Sequence, residues 1–380
     1  MMSAPTLAAL SPSALALRAQ VREFLASYSD SWTTFDRAHS WTAFDRDFSR
    51  EVGKQGWIGL TWPEPFGADR GAIERFVLQE EMLAAGAPVG AHWIGDRQSG
   101  PMILKVGTSA QKQRYLPGIA KGDISFCIGM SEPNSGSDLA SLEARADHDT
   151  GGWRLSGTKL WTTNAQHCQV MIGLFRTAGS PREARQGGLT QFLIELDTPG
   201  IDIHPIADLN GDTHFNEVVF NDVFVPEERL LGVEGEGWKQ VTAELALERS
   251  GSERFLSAFP LVTAATSELA TLRTDDIESC ELAILGTLIA ETAVLRSLSL
   301  AVVGKMERSE DPSYLATITK DLGAELEQRT APAIRSLFAA PSSDLRCAID
   351  FIVRAAPTFS LRGGAREILR GITARALGVR

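Results

Sequence analysis

The stretch "LALERSG", residues 245–251, sets Glu248 four residues after Glu244 and directly before Arg249. Positions four apart share a helix face, where like charges cost roughly 0.2–0.5 kcal/mol. Two readings of Glu248 stay open on these residues alone. It is either a solvated surface acid, with Arg249 pairing to Glu253 one turn on, or a carboxylate held inward to move a proton. A second stretch with chemical content is "FCIGMSEPNSGSDLAS", residues 126–141. Its Ser/Gly-rich turn offers backbone N–H groups of the kind that cradle phosphate oxygens. No Gly-Lys-Ser/Thr follows, which excludes a Walker loop, and no strand–G-x-G-x-x-G–helix surrounds it, which excludes a Rossmann fingerprint. Taken alone, it reads more readily as a solvated loop entering a β domain. "GVEGEGWK" has the spacing G-x-x-G-x-G just after Pro226 and reads as a turn. The six histidines show no ligand spacing and the four cysteines form no CxxC pair, so neither a metal site nor a disulfide framework is expected.

The elements that must position these residues follow from the texture of the chain. Its 380 residues are too many for one small core, and two or three domains are expected. A content of 43% hydrophobic and 22% charged residues is that of a globular protein. The net charge of −11 argues against a nucleic-acid binder that neutralises phosphates, but not against an anionic ligand held by local fields. The apolar start lacks a basic leader, and Ser11-Pro12 reads as an N-cap followed by proline at the first helical position. With no uninterrupted apolar run seen, a cytoplasmic protein with no membrane association is expected.

Residues 1–122 carry helical periods, as in "SALALRAQVREFLASY", where Leu17, Val21, Phe24, Leu25 and Tyr28 form one stripe. Residues 123–232 change texture. "GGWRLSGTKLWTTNA", "CQVMIGLFRT", "LTQFLIELDTPGIDIHPI" and "FNEVVFNDVFVPEERLL" are β-branched and aromatic runs separated by Gly, Pro, Asn and Asp. Over 233–380 the helical period returns. "CELAILGTLIAETAVLRSLSLAVVGK" is apolar almost all round and is expected to sit within a bundle.

Three motifs in order carry a resemblance that spans essentially the whole chain. "SEPNSGSD" is similar to the T-E-P-x-x-G-S-D loop of the acyl-CoA dehydrogenase family, "GTKLWTTNA" to its G-x-K-x-W-I-T-N strand, and "FNEVVFNDVFVPEERLLG" to its E-V-x-F-x-D-V-x-V-P-x-x-x-x-L-G signature. "GEGW" and "REILRGITARALG" also resemble family segments. The resemblance implies an α+β fold: an N-terminal helical domain, a central β-barrel-like domain and a C-terminal four-helix bundle. It further implies bound FAD. Met130, Ser131, Gly136 and Ser137 would line the flavin and its pyrophosphate, with Ser137 also near the CoA chain. Trp161 would pack against the isoalloxazine ring, and Thr162 and Thr163 would lie at the cofactor, with Thr163 bonding near N5.

The implied reaction desaturates an acyl-CoA thioester at Cα–Cβ, with a carboxylate taking the α-proton and hydride passing to the flavin. Many members carry that carboxylate in a Y-E-G-T-S-Q-I-like segment before the final helix. "RGGAREI" aligns with it and has Gly363 at the acid's position. The isovaleryl and long-chain types carry it instead in a D-L-E-R-like segment on a helix after the β domain, which "ALER" resembles. Glu248 is therefore the expected base, Arg249 the following arginine at the substrate, and Gly363 a position leaving room for the carboxylate.

Departures from the family pattern bear on partners. No R-x-x-F-G follows in the C-terminal region, where Arg296 stands without Phe-Gly, and Ala365 and Arg366 replace the common threonine and serine. The adenine end of the cofactor is thus poorly supplied. A homo-oligomer (dimer or tetramer) and a heterotetramer with a similar chain both remain open, with electron-transfer flavoprotein as the expected acceptor. Alternatives on the same fold are a partner subunit with little activity alone and a flavin monooxygenase or nitroalkane oxidase.

Overall fold

Ser11 opens the first helix, Pro12–Ala26, by accepting the Ala14 N–H on its hydroxyl at 3.1 Å, with Pro12 at the first position. The stripe beyond it buries Ala14, Leu17, Val21 and Leu25. The computed structural model describes residues 6–182, 185–248, 251–272 and 279–379, with the backbone alone for residues 243–248. Helices fill the chain up to Ala120, strands run from Phe126 to Leu231, and helices return from Gly237. In space the chain divides into two units. One gathers Met1–Ala43, Arg70–Pro88 and Ala246–Arg380, and the other Phe44–Asp69 and Val89–Leu245.

The second unit is built on a sheet of eight strands: β1 Phe126–Gly129, β2 Arg145–Asp149, β3 Gly152–Thr163, β4 Val170–Arg176, β5 Leu189–Glu195, β6 Ile201–Ile206, β7 Phe215–Pro226 and β8 Leu230–Leu231. Their order is β6-β7-β3-β2-β4-β5-β8, with β1 parallel to β4. The path is open, with β6 and β8 at its ends among the described residues. Trp153, Leu155, Phe175, Phe192, Val218 and Phe220 pack into its core, each contributing roughly 1.5–3 kcal/mol by burial. Trp153 and Leu155 alternate inward at the start of β3, but that alternation does not run its length. The β3–β7 register shifts between Leu155 and Gly157 and again between Lys159 and Thr162. Such bulges rotate the residues beyond them and re-aim side chains.

In the first unit, Ala14, Phe76, Val77, Leu300 and Val303 form a core cluster from helices Pro12–Ala26, Ala72–Ala84 and Ser279–Glu307. Glu80 and Glu81 are buried on the second of these. Glu80 meets Arg18 at 2.7 Å and Arg296 at 2.5 Å, and Glu81 meets Arg22 at 2.7 Å. Ser342 caps a helix over Ser343–Phe359 that the texture reading did not isolate, and its hydroxyl accepts the Leu345 N–H at 3.3 Å.

Helix Ser279–Glu307 departs from expectation in two ways. It has 29 residues and is apolar enough, by length and composition alone, to cross a membrane, although the sequence reading found no such run. It packs against Ser313–Arg335 and Ala72–Ala84, and its charges Glu291 and Arg296 are paired with Arg329 and Glu80. Nor is it enclosed all round. Leu285, Leu288, Leu295 and Leu300 are buried, whereas Leu282, Ile289 and Val294 are exposed.

Candidate functional site

In the second unit, the loop leaving β1 is shaped by one buried ion pair. Lys159 on β3 is completely enclosed and donates to Glu132 Oε1 at 2.7 Å and to the Met130 carbonyl at 3.4 Å. Glu132 also accepts the N–H groups of Glu143 at 2.7 Å and Ala144 at 3.0 Å. Burial pushes the Lys159 ammonium below the usual lysine value, and Glu132 pulls it back. Its Nζ also stands 4.8 Å from the centre of the Phe175 ring. On the far side of the loop, the buried Arg176 guanidinium donates to the carbonyls of Ala140, Leu142 and Gly187 at 3.1–3.2 Å. Neither clamp is apparent from sequence, because each joins residues from separate strands and loops. The only hint is that Arg176 ends an otherwise apolar strand.

Those clamps fix where the expected flavin residues stand. Met130 is half-buried against Leu142, Leu174, Leu189 and Val241. The Ser131 carbonyl accepts the Leu160 N–H at 2.8 Å, which sets the loop's start beside the end of β3. A tight turn follows, closed by paired bonds between Glu132 and Ser135 of 2.7 and 3.1 Å, and Gly136 and Ser137 lie exposed just after it. Directly after Leu160, Trp161 is 54% exposed and has φ +61°, a backbone region that bulky residues rarely adopt. Phe215 meets its ring edge-on at 5.7 Å. Thr162 is buried, and its hydroxyl oxygen has no hydrogen-bond partner among the described residues. Thr163 is half-buried and pairs with Phe215 across the strands.

An exposed indole on a strained backbone, next to an unsatisfied buried hydroxyl, is what a flat heteroaromatic ligand with polar edge atoms would complete. These residues fit a flavin ring. The other end of such a cofactor is not provided for in the same way. Arg296 is committed to Glu80, and Arg366 to Asp321 at 2.5 Å and Glu325 at 2.8 Å.

In the first unit, Glu248 is the last residue of helix Gly237–Glu248; its side chain, and Arg249 altogether, lie outside the described residues. Gly363 differs from its expected role of leaving room. Its φ is +70°, and a side-chain carbon built on it would meet the Arg254 guanidinium at 3.1–3.4 Å. The space belongs to a buried cation. Around it, Glu253 lies 3.7 Å from Arg254 Nε, and Arg362 donates to Glu327 at 2.8 Å and to Ser257 Oγ at 2.7 Å. The Arg362 guanidinium also sits over Trp41 at 4.5 Å. Burial holds the Arg362 guanidinium below the usual arginine value, with Glu327 opposing that shift.

The family model for the acyl-CoA dehydrogenase N-terminal domain matches residues 11–123, and that for the middle domain residues 127–223, together more than half of the chain. Acyl-CoA dehydrogenase FadE34 of Mycobacterium tuberculosis is 31% identical over 325 residues, which is 85% of this chain and 44% of FadE34. The chain thus spans about half the length of the curated relatives it matches first. Among solved structures, the Tcur3481–Tcur3483 steroid ACAD matches at 27% identity and a TM-score of 0.86, over 97% of this chain and 98% of that one. The ChsE4–ChsE5 complex from Mycobacterium tuberculosis matches at 26% and 0.84, over 99% and 100%. The chain belongs to the acyl-CoA dehydrogenase family, a family of oxidoreductases.

Proposed function

We propose that this chain is the base-bearing subunit of an FAD-dependent acyl-CoA dehydrogenase that converts an acyl-CoA thioester to its trans-2-enoyl form. The observation that carries the reading is Trp161, exposed on a left-handed backbone and followed by the unsatisfied hydroxyl of Thr162. FAD, when bound, supplies the hydride acceptor for the substrate's Cβ hydrogen. The chain's own part is to stack Trp161 on the ring, to offer Thr162 and Thr163 to its polar edge, and to turn the backbone of Met130, Ser131, Gly136 and Ser137 toward it. Glu248 takes the α-proton. A carboxylate next to an apolar acyl chain has its pKa raised toward the working pH, which suits a base. Ser137 and Arg249 are assigned to the substrate side.

The names of the relatives suggest a bulky, steroid-like acyl group and a two-chain assembly. The engagement of Arg296 and Arg366 within this chain favours the latter, because a similar partner chain would then have to hold the adenine end. Electron-transfer flavoprotein is the proposed acceptor.

The test is to purify the protein alone and with a co-expressed similar chain, record the visible spectrum, and follow bleaching with a panel of acyl-CoAs. A yellow protein bleached by a steroid-side-chain thioester is expected, and Glu248→Gln should keep the colour and lose the bleaching. Near-normal turnover by Glu248→Gln would remove Glu248 from the mechanism. A colourless protein in both preparations would overturn the reading. Fast oxygen consumption by the reduced protein would point to an oxidase or monooxygenase instead.

A further inference from the structure

Asn216, near the start of β7, is completely enclosed. Burying an amide costs free energy unless its polar atoms are bonded, and here the bonding is one-sided. Nδ2 donates twice, to the Thr162 carbonyl at 3.0 Å and to Gln166 Oε1 at 2.6 Å. Oδ1 has no partner among the described residues. Gln166 carries the connection on, its Nε2 donating to the Thr213 carbonyl at 2.6 Å. Gln166 belongs to the turn Ala165–His167 just after β3, and Thr213 lies just before β7. One carboxamide thus ties together the end of β3, the turn that follows it and the approach to β7. The tied segment is a strained one. Trp161 with φ +61° and Asn164 with φ +55° stand on either side of Thr162 and Thr163. The ladder between β3 and β7 breaks after Lys159 and resumes where Thr162 faces Asn216. A second tie runs from the Asn164 N–H to the His214 carbonyl at 2.7 Å.

We propose that Asn216 is a positioning residue of the flavin site, acting through the peptide between Thr162 and Thr163. The inference rests on the proposed binding of FAD at Trp161. That peptide is trans and planar, so its carbonyl and the Thr163 N–H point in opposite directions. The bond from Asn216 that holds the carbonyl therefore also fixes the direction of Thr163, the residue offered to the polar edge of the ring. On the other side of the same peptide unit, it keeps Thr162 in place behind Trp161, so that the indole stays turned outward on its left-handed backbone. An apolar side chain of the same size would fill the space without enclosing an unpaired oxygen, which is a net loss to stability. The two donated bonds, and not the packing, are what the amide supplies. Gln166 shares in this role, because it is the second acceptor on Asn216 Nδ2 and fixes the amide's orientation.

The test compares the full chain with Asn216→Leu, Gln166→Met and the double variant, first without FAD and then with it. Without FAD, amide hydrogen exchange read by mass spectrometry should be faster over residues 161–167 in each variant and unchanged in β4 and β5. With FAD, the affinity should fall about two- to twelvefold, the scale of one hydrogen bond, and the visible absorption band of the bound flavin should shift. The double variant should bind FAD no more weakly than the worse single one, because both substitutions cut the same tie. If Asn216→Leu does not fold, Gln166→Met decides, since its side chain is only half-buried. Parent-like exchange over 161–167, or FAD bound by the variants with the parent's affinity and spectrum, would overturn this inference and leave the flavin reading standing. A parent that binds no FAD in any preparation would overturn both.

Discussion

The Arg254 guanidinium lies against the α-carbon of Gly363, where a side-chain carbon would stand 3.1 Å from Nη1 and 3.2 Å from Cζ. Two separate constraints therefore demand glycine at this position: the positive φ of +70° and the buried cation beside it. A carboxylate at 363 would be drawn into an ion pair with Arg254, which favours its ionised form and makes it a poor proton acceptor. Position 363 is thus closed to a base by charge as well as by backbone.

Gly363→Ala should destabilise the protein by about 1–2 kcal/mol, since alanine is strained at positive φ and presses on Arg254. The expected signature is a lower urea midpoint with an unchanged slope. A midpoint equal to that of the parent would show that the Arg254 contact yields freely.

Lys159→Met should cost about 3 kcal/mol, because it leaves the Glu132 carboxylate enclosed without its cation. Adding Glu132→Gln should recover part of that loss. A double-mutant cycle by chemical unfolding checks this, and additive effects would mean that the pair does not act as a unit.

Trp161→Asn should leave stability within about 1 kcal/mol of the parent. Asparagine tolerates φ +61°, and the strain relieved offsets the lost edge contact with Phe215. FAD affinity should fall roughly two- to twelvefold, the loss expected when one aromatic stacking contact of about 0.5–1.5 kcal/mol is removed. Equal FAD affinity in a titration of the two proteins would take Trp161 out of the cofactor site.

His92 is buried with its Nδ1 2.8 Å from Ser49 Oγ, and burial lowers its pKa to about 4. Below the ordinary value of 6.5 the unfolded chain takes up a proton that the native chain refuses. The stability this histidine contributes is therefore complete above about pH 6.5 and declines as pH falls to about 4, by roughly 3 kcal/mol in all. Below that no further loss comes from this group. His92→Gln should flatten the urea-midpoint profile over that window, and identical profiles would assign the acid sensitivity elsewhere.

What sequence could tell divides along physical lines. Local rules were legible. Ser11 with Pro12 does cap the first helix, and the β-branched runs are strands. Helix Ser343–Phe359 carries an equally local signature, a Ser342 cap with Leu345, Ala348, Ile349 and Ile352 on one buried face. Long-range features were not legible. The bulge that turns Trp161 outward depends on the β7 register, and the Lys159–Glu132 pair depends on which segments become neighbours. The structure sets Ser131 and Trp161 near one end of β3, through the bond from the Leu160 N–H to the Ser131 carbonyl. Motif resemblance could not foresee that Arg254 fills the space at Gly363, since 109 positions separate them.

The pairing of Glu80 with Arg296 also bears on how the chain comes into being. The partners are 216 positions apart, and at translation rates of 5–20 residues per second the arginine emerges roughly 10–40 s after the glutamate. During that interval Glu80 has Arg18, already synthesised, as its available cation. The early helices of this unit must wait, with Phe76 and Val77 still lacking Leu300 and Val303, until the late ones arrive to cover them. A nascent chain paused within that window would present this apolar surface to chaperones.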